Sequence, residues 1–477
     1  MPSISHKWKE ISDLPDDLDP FRDRELEALC QVWDEQKKVV ADAERIKEFN
    51  AQLAREWAIE TGIIEGVYTL DRGVTQTLIE RGIDSAYISH DDTNRDPELV
   101  ARTIRAHEEV LEGLFVFVNG ERSLSTSYVK ELHSALLRYQ TTVVVFDQTG
   151  QPLETKLERG AYKVMPNSPS RADGSIHEYC PPEHVSSEMD RLIEMHHQHA
   201  KRGVRPHVQA AWLHHAFTQI HPFQDGNGRV ARALASLVLI KAGLLPFVVS
   251  RDQKEKYIDA LEAADEGKSS LLFDFFAQVQ KRTLTKAIGS AADVQPVKSV
   301  EEAFEVTRDL LVNLGRITPA KWLQAKNTAQ NLVQATLNRL SGLRDKFQNE
   351  VTRVENGYQF TIENLATQPA QELGIVAEKL QYDLNFRDFH QTSVFQLVAK
   401  GATSRIVVSF HGVGSAFRGL LVSSAYFHAA DQRPVPLCDD IFRISFEEDV
   451  GLATKRYLEW LNACLIKGLA EWRRTLV

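Results

Sequence analysis

Apolar residues at helical spacing dominate the first part of the chain. After an acidic, proline-containing start at Asp13–Asp19, the spacing predicts helix from about Asp23 to Trp57, and it returns within residues 68–112. There Asp96 stands as a helix N-cap and Pro97 at the first helical position, where a missing N–H costs nothing. Val208–Ile220 again shows helical periodicity, and Ala233–Ile240 is apolar on nearly every face, the pattern of a central buried helix. Small residues and a proline at Gly289–Pro296 suggest a linker. Helices are expected over Ser299–Asn313 and Pro319–Glu350. Then the pattern changes: β-branched and aromatic runs at Tyr358–Ile362, Ser393–Val398, Arg405–His411, Leu420–Phe427 and Ile441–Phe446 read as an antiparallel sheet. A closing helix is expected over about Val450–Arg473. The fold class is therefore mainly α, with a C-terminal α+β domain to which no role is assigned. Within that domain Phe410–Ser415 reads as a strand-to-strand turn, since it lacks the serine spacing of a nucleophile elbow and the lysine of a P-loop.

Between the helices at 208–220 and 233–240 lies a run dense in chemistry, His221-Pro-Phe-Gln-Asp225-Gly226-Asn227-Gly228-Arg229-Val-Ala-Arg232. Its placement makes it a tight loop that opens a helix, and a helix N-terminus offers unpaired N–H groups and positive potential to an anion. Gly226 and Gly228 let the backbone turn sharply and approach a phosphate closely. Asp225 is a hard oxygen ligand of the kind Mg²⁺ takes. Arg229 and Arg232, three positions apart, can fork onto phosphate oxygens. His221 is the group in the run that is readily neutral and basic near pH 7, hence the candidate general base. These parts would hold a nucleotide's phosphates and activate a hydroxyl beside them.

Composition narrows the class. The 477 residues suffice for two or three domains, and a formal charge of −10 argues against a nucleic-acid or anionic-membrane surface. Cys30, Cys180, Cys438 and Cys464 are scattered without metal-ligand spacing, which suits a reducing compartment. The first residues lack a basic run followed by an apolar core, and no apolar stretch reaches membrane-spanning length. The expected location is cytoplasmic.

The loop matches the signature His-Pro-Phe-x-Asp/Glu-Gly-Asn-Gly-Arg-x-x-Arg and so resembles the Fic (Fido) family. The resemblance implies transfer of AMP from ATP to a Ser, Thr or Tyr hydroxyl of a target protein, with release of pyrophosphate. It makes His221 the base and Asp225 the Mg²⁺ ligand. Gly226, Asn227, Gly228 and Arg229 become the cradle for the α- and β-phosphates, with Arg232 at the γ-phosphate. Arg122–Ser125 with Val129–His133 resembles the capped helix that opens such a core. Gly160–Asn167, Ser168, Asp173–Gly174 and Tyr179–Pro182 resemble its β-hairpin flap, with Lys163 where the family often has Arg. Tyr257 and Ala263–Gly267 resemble the segment closing the adenine pocket, which places Tyr257 and Asp265 on the adenine side; Ile258 and Asp265 replace a frequent Tyr and Asn. The implied domains are a helical region 1–112, a Fic core 113–288 and the α+β domain 289–477.

Thr61-Gly-Ile-Ile-Glu65-Gly66 fits the Ser/Thr-x-x-x-Glu-Gly/Asn pattern of the family's inhibitory helix. By that resemblance Glu65 pairs with Arg232 and denies it to the γ-phosphate. The same carboxylate could position a water that removes AMP, so brake and hydrolytic base both stay open. Related kinases carry bulkier residues at the glycines and Lys for the first Arg, so the intact Gly226, Gly228 and Arg229 favour AMP transfer. A non-catalytic nucleotide-binding adaptor would not need His221. Expected partners are ATP and a protein target, with no nucleic acid and no membrane; self-association into a homo-oligomer is left open.

Overall fold

In the computed structural model the residues described are 4–40, 44–146, 152–168, 176–290, 319–351, 357–365, 370–399, 401–413, 419–430 and 432–476. The elements run β1 Ile4–His6, α1 Arg24–Val40, α2 Glu44–Ile64, α3 Arg72–Arg81, α4 Pro97–Asn119 and α5 Thr126–Leu136. There follow β2 Thr142–Phe146, β3 Pro152–Lys156, β4 Ile176–His177, α6 Pro182–Lys201, α7 Pro206–Ile220 and α8 Asn227–Lys241. Next come α9 Lys254–Asp265, α10 Ser269–Ser290, α11 Pro319–Glu350, β5 Tyr358–Leu365 and α12 Ala370–Leu380. The chain ends with β6 Leu384–Ala399, β7 Ala402–Val413, β8 Leu420–Ala429, β9 Val435–Pro436, β10 Phe442–Ser445 and α13 Val450–Thr475. No helix among the described residues is long and apolar enough to cross a membrane.

Packing divides the chain into two units, Met1–Arg22 with Lys47–Thr283, and Asp23–Ile46 with Leu284–Val477. This differs from boundaries at 112 and 288. The Thr61–Gly66 helix end belongs to the first unit, whereas Asp23–Ile46 belongs to the second. Side-chain bonds account for the latter: Gln36 donates to the Ile288 carbonyl, and Glu25 faces the Arg443 and Arg456 guanidiniums.

The first unit is helical. Asp96 caps α4 by accepting from the Leu99 N–H, and Ser125 caps α5 by accepting from Tyr128. Helix α8 lies at its centre, buried from Arg229 through Ile240, as its all-round apolar sequence requires. The expected flap hairpin is corrected. Gly160–Ser168 contains no strand, and Ile176–His177 pairs in parallel with β1; Asp173–Gly174 lie outside the described residues. Gly160 takes φ 76° and Pro166 lacks an N–H, while the Lys163 N–H donates to the Pro222 carbonyl at 2.8 Å instead of to a partner strand. The antiparallel hairpin forms earlier, between the β-branched Thr142–Phe146 and Pro152–Lys156.

The second unit is an antiparallel sheet in the order β10-β8-β7-β6-β5, with β9 on β8. Strand side chains alternate between faces. Phe395, Ile406, Val408 and Phe427 pack with Leu332 and Leu340 of α11 and Tyr457 and Leu461 of α13. Val394, Val407 and Tyr426 turn the other way, onto Leu373 and Val376 of α12. Phe410–Val413 continues β7 rather than turning, and Gly414–Ser415 lie outside the described residues, as does Ser299–Asn313. Of the linker read at Gly289–Pro296, Gly289 and Ser290 close α10 and the rest lies outside them too.

Candidate active site

Helix α7 ends at His221, whose backbone turns left-handed at φ 50° while its N–H still reaches the Phe217 carbonyl at 2.9 Å. Gly226 takes φ 80° and caps α8; a Cβ there would lie 2.6 Å from Leu137. The loop between them is laced to its surroundings. Asn227 accepts from the Phe223 N–H at 2.9 Å and donates to its carbonyl at 2.7 Å. Its side chain therefore shapes the loop, and only its backbone remains to serve a phosphate. His133 donates to the Asp225 carbonyl at 3.0 Å, accepts from the Gly160 N–H at 2.8 Å, and stacks on Phe223 with ring centres 3.9 Å apart.

His221 Nδ1 faces the Thr218 carbonyl at 3.3 Å, which places the proton on Nδ1 and leaves Nε2 with a lone pair able to take a proton. Burial, with the Lys163 ammonium second, lowers its pKa to about 3, so the imidazole is neutral at physiological pH. The Tyr179 ring stacks on it at 3.8 Å. Lys163, itself lowered by burial to about 8, donates to Asn167 Oδ1 at 2.7 Å. Asn167 donates to the Phe223 carbonyl at 2.7 Å, and Ser168 Oγ accepts from the Tyr179 N–H at 3.2 Å. The flap residues thus brace the loop and the aromatic cover of His221.

Asp225 Oδ2 accepts from Gln140 at 2.5 Å, and Gln140 Oε1 accepts from Arg229 at 2.8 Å. Arg229 is 2% exposed, and its Nε has no hydrogen-bond partner among the described residues. A buried guanidinium with a spare donor beside a helix N-terminus suits a phosphate oxygen. Asp225, partly exposed, offers a hard oxygen next to it, and the pair fits Mg²⁺ with a bound phosphate.

Each nitrogen of the Arg232 guanidinium has a partner. The group donates to Thr61 Oγ1 at 2.7 Å, to the Thr61 carbonyl at 3.0 Å and to Glu65 Oε1 at 2.9 Å. The Glu65 carboxylate lies against Gly228 so closely that a Cβ there would collide with it. An anion is therefore already seated at the N-terminal turn of α8. Helix α2 is held in that pose by Glu60, which accepts from the Arg251 N–H at 2.6 Å and from its guanidinium at 2.9 Å, and by Lys254, which donates to the Ile64 carbonyl at 2.8 Å.

Tyr257 is buried, with its hydroxyl 2.7 Å from His214 Nε2 and in reach of Arg232, so its part in the site runs through Arg232. Asp265 accepts from His215 at 2.9 Å and from Gln219. Sequence reasoning missed Gln140 and the bracing role of His133, whose partners lie 85 and 92 residues away.

The profile of the Fic/DOC family matches residues 123–239, the stretch from the start of α5 to the buried part of α8. The chain carries a Fic domain. It is 33% identical over 102 residues to the protein adenylyltransferase Fic of Culex quinquefasciatus and 39% identical over 79 residues to that of Aedes aegypti. Those matches cover 21% and 17% of this chain, and 20% and 16% of the mosquito proteins, so they span about a fifth of the relatives' length. A Fido domain-containing protein of Dictyostelium discoideum is 44% identical over 86 residues, 18% of this chain and 59% of its own. Among solved structures, a Fic domain containing signaling protein from Bacteroides thetaiotaomicron is 25% identical with TM-score 0.45, over 55% of this chain and 96% of that one. In the Fic domain all the residues singled out from the signature gather within the loop and its two helices, and Glu65 meets them from α2.

Proposed function

We propose that this chain is an autoinhibited protein adenylyltransferase, which moves AMP from ATP to a Ser, Thr or Tyr hydroxyl of a target protein. One observation carries the chemistry: a neutral His221 with a free Nε2 lone pair and a buried Arg229 with a spare donor share one helix-opening loop. The target hydroxyl oxygen forms a bond to the α-phosphorus as the bond to the bridging β-phosphate oxygen breaks. The hydroxyl proton goes to His221 Nε2, and pyrophosphate leaves. Arg229 and the α8 N-terminus take up phosphate charge, and Asp225 would hold Mg²⁺, which when bound neutralises more of it. By the resemblance Asp265 would stand on the adenine side, with Tyr257 acting behind Arg232.

The inhibited state follows from Arg232. Its one guanidinium is occupied by Thr61 and Glu65, so a triphosphate would meet a carboxylate where its own negative charge must sit. The test uses Glu65→Gly with Mg²⁺ and either α- or γ-labelled ATP. Label should reach protein from the α position alone and vanish in Glu65→Gly/His221→Ala. Label from the γ position would indicate a kinase, and none from either an adaptor. Loss of AMP from a modified target only when Glu65 is present would make Glu65 a hydrolytic base.

A further inference from the structure

Apart from the His221 loop, the first unit gathers three metal-binding side chains from distant parts of the chain. His6 comes from β1, His177 from β4, and Asp265 from the C-terminal end of α9. One potential ligand atom of each lies within 4.8 Å of the others. The His6 and His177 rings stack at 4.4 Å with 13° between planes, and His177 Nε2 stands 3.9 Å from Asp265 Oδ2. The parallel pairing of β1 with β4, which sets His6 against His177, creates this arrangement.

We propose that His6, His177 and Asp265 form a site for a divalent ion of the zinc class. Two imidazoles and one carboxylate are a nitrogen-rich donor set that suits Zn²⁺ and not Mg²⁺. At tetrahedral angles zinc bonds of about 2.0–2.2 Å set ligand atoms roughly 3.3–3.6 Å apart, so groups now within 4.8 Å of one another need draw together by at most about 1.5 Å. The surroundings are those of a metal site. Asp265 Oδ1 is oriented by His215 Nε2 at 2.9 Å and by the Gln219 amide, and Gln219 Oε1 accepts from His6 Nε2 at 3.0 Å, which orients that ring. A cavity of about 520 Å³ has His6, His215, Gln219 and Asp265 in its wall, which gives an ion a way in and water a coordination position. None of residues 221–232 lines it.

The site has a route to the chemistry. His177 packs on Tyr179, ring centres 4.8 Å apart, and Tyr179 covers His221. An ion that fixes His177 therefore fixes the aromatic cover of the base and clamps β1 to β4. The proposal stands on this cluster alone and does not require the nucleotide reading. Because Asp265 also serves that reading, the test contains no nucleotide.

The full chain, freed of metal by chelation, is titrated with Zn²⁺ by calorimetry, with Tm followed in parallel. One equivalent should bind and raise Tm by roughly 5 °C. His6→Ala and His177→Ala should each weaken uptake at least tenfold, while His90→Ala, an exposed histidine elsewhere, should not. Co²⁺ in the wild-type protein should show the visible bands of nitrogen and oxygen ligation, a readout that survives if a variant does not fold. Absence of stoichiometric uptake, uptake unchanged in both histidine variants, or a Co²⁺ spectrum like that of the free ion would each overturn the proposal.

Discussion

Arg232 has a single guanidinium and three acceptors already on it, two from Thr61 and one from Glu65, inside a pocket that leaves it 1% exposed. In the proposed function these partners decide what the loop can bind. There His221 would act as the base, and its surroundings set its charge state. Because its pKa is lowered, the neutral form persists as pH falls, and the base is lost only as pH drops through about 3. The kcat/KM profile of Glu65→Gly should thus show no acid limb between about pH 5 and pH 7. A limb centred near pH 6.5 would place His221 in water instead. These residues were legible in sequence because the chemistry is contiguous: base, carboxylate, glycines and arginines fall within twelve positions. Asn227 was less so. Its side chain closes on Phe223, an assignment that depends on how the loop folds back. Gln140, which ties Asp225 to Arg229, carried no signal, since an isolated glutamine far along the chain looks like any surface residue.

At the scale of elements, α2 acts as the arm that brings Glu65 to Gly228, and Arg251 is its main fastener. Arg251 reaches Glu60, the Leu70 carbonyl and Thr75, joining α2 and α3 to the segment before α9. Arg251→Ala leaves the buried Glu60 carboxylate with a backbone N–H but without its guanidinium partner, and stability should fall by about 3 kcal/mol, read from denaturant unfolding. The same change should loosen α2, so AMP incorporation should rise above wild type yet stay below Glu65→Gly. An unchanged rate would mean that the arm is held by other contacts. The helices that flank the loop were readable from apolar spacing, because a helix needs only local information. The flap was not. Its resemblance to a hairpin does not survive a backbone whose Lys163 N–H turns to Pro222. Helix α12 escaped notice because its eleven residues sit between strands as a short apolar run.

For the whole molecule, each unit has a core of its own, and the sheet of the second is buried on both faces. Phe395 of β6 is fully buried in the cluster it shares with α11, and Phe395→Ala should destabilise the second unit by about 3–5 kcal/mol. Calorimetry should show one transition moving and the other retained; a common shift of the entire profile would contradict separate cores. The α+β character of this unit was legible from its β-branched runs. The membership of Asp23–Ile46 was not, since it depends on contacts with residues more than 250 positions away, such as Gln36 with Ile288. The central claim of the proposed function concerns the resting molecule as a whole: the Arg232–Glu65 ion pair would hold Arg232 away from ATP. The most direct measurement is the initial rate of AMP incorporation from α-labelled ATP by wild type and by Glu65→Gly at equal protein and Mg²⁺. A rate at least about tenfold higher in Glu65→Gly is the predicted result, matching the release of one buried ion pair. Equal rates, or a faster wild type, would contradict it.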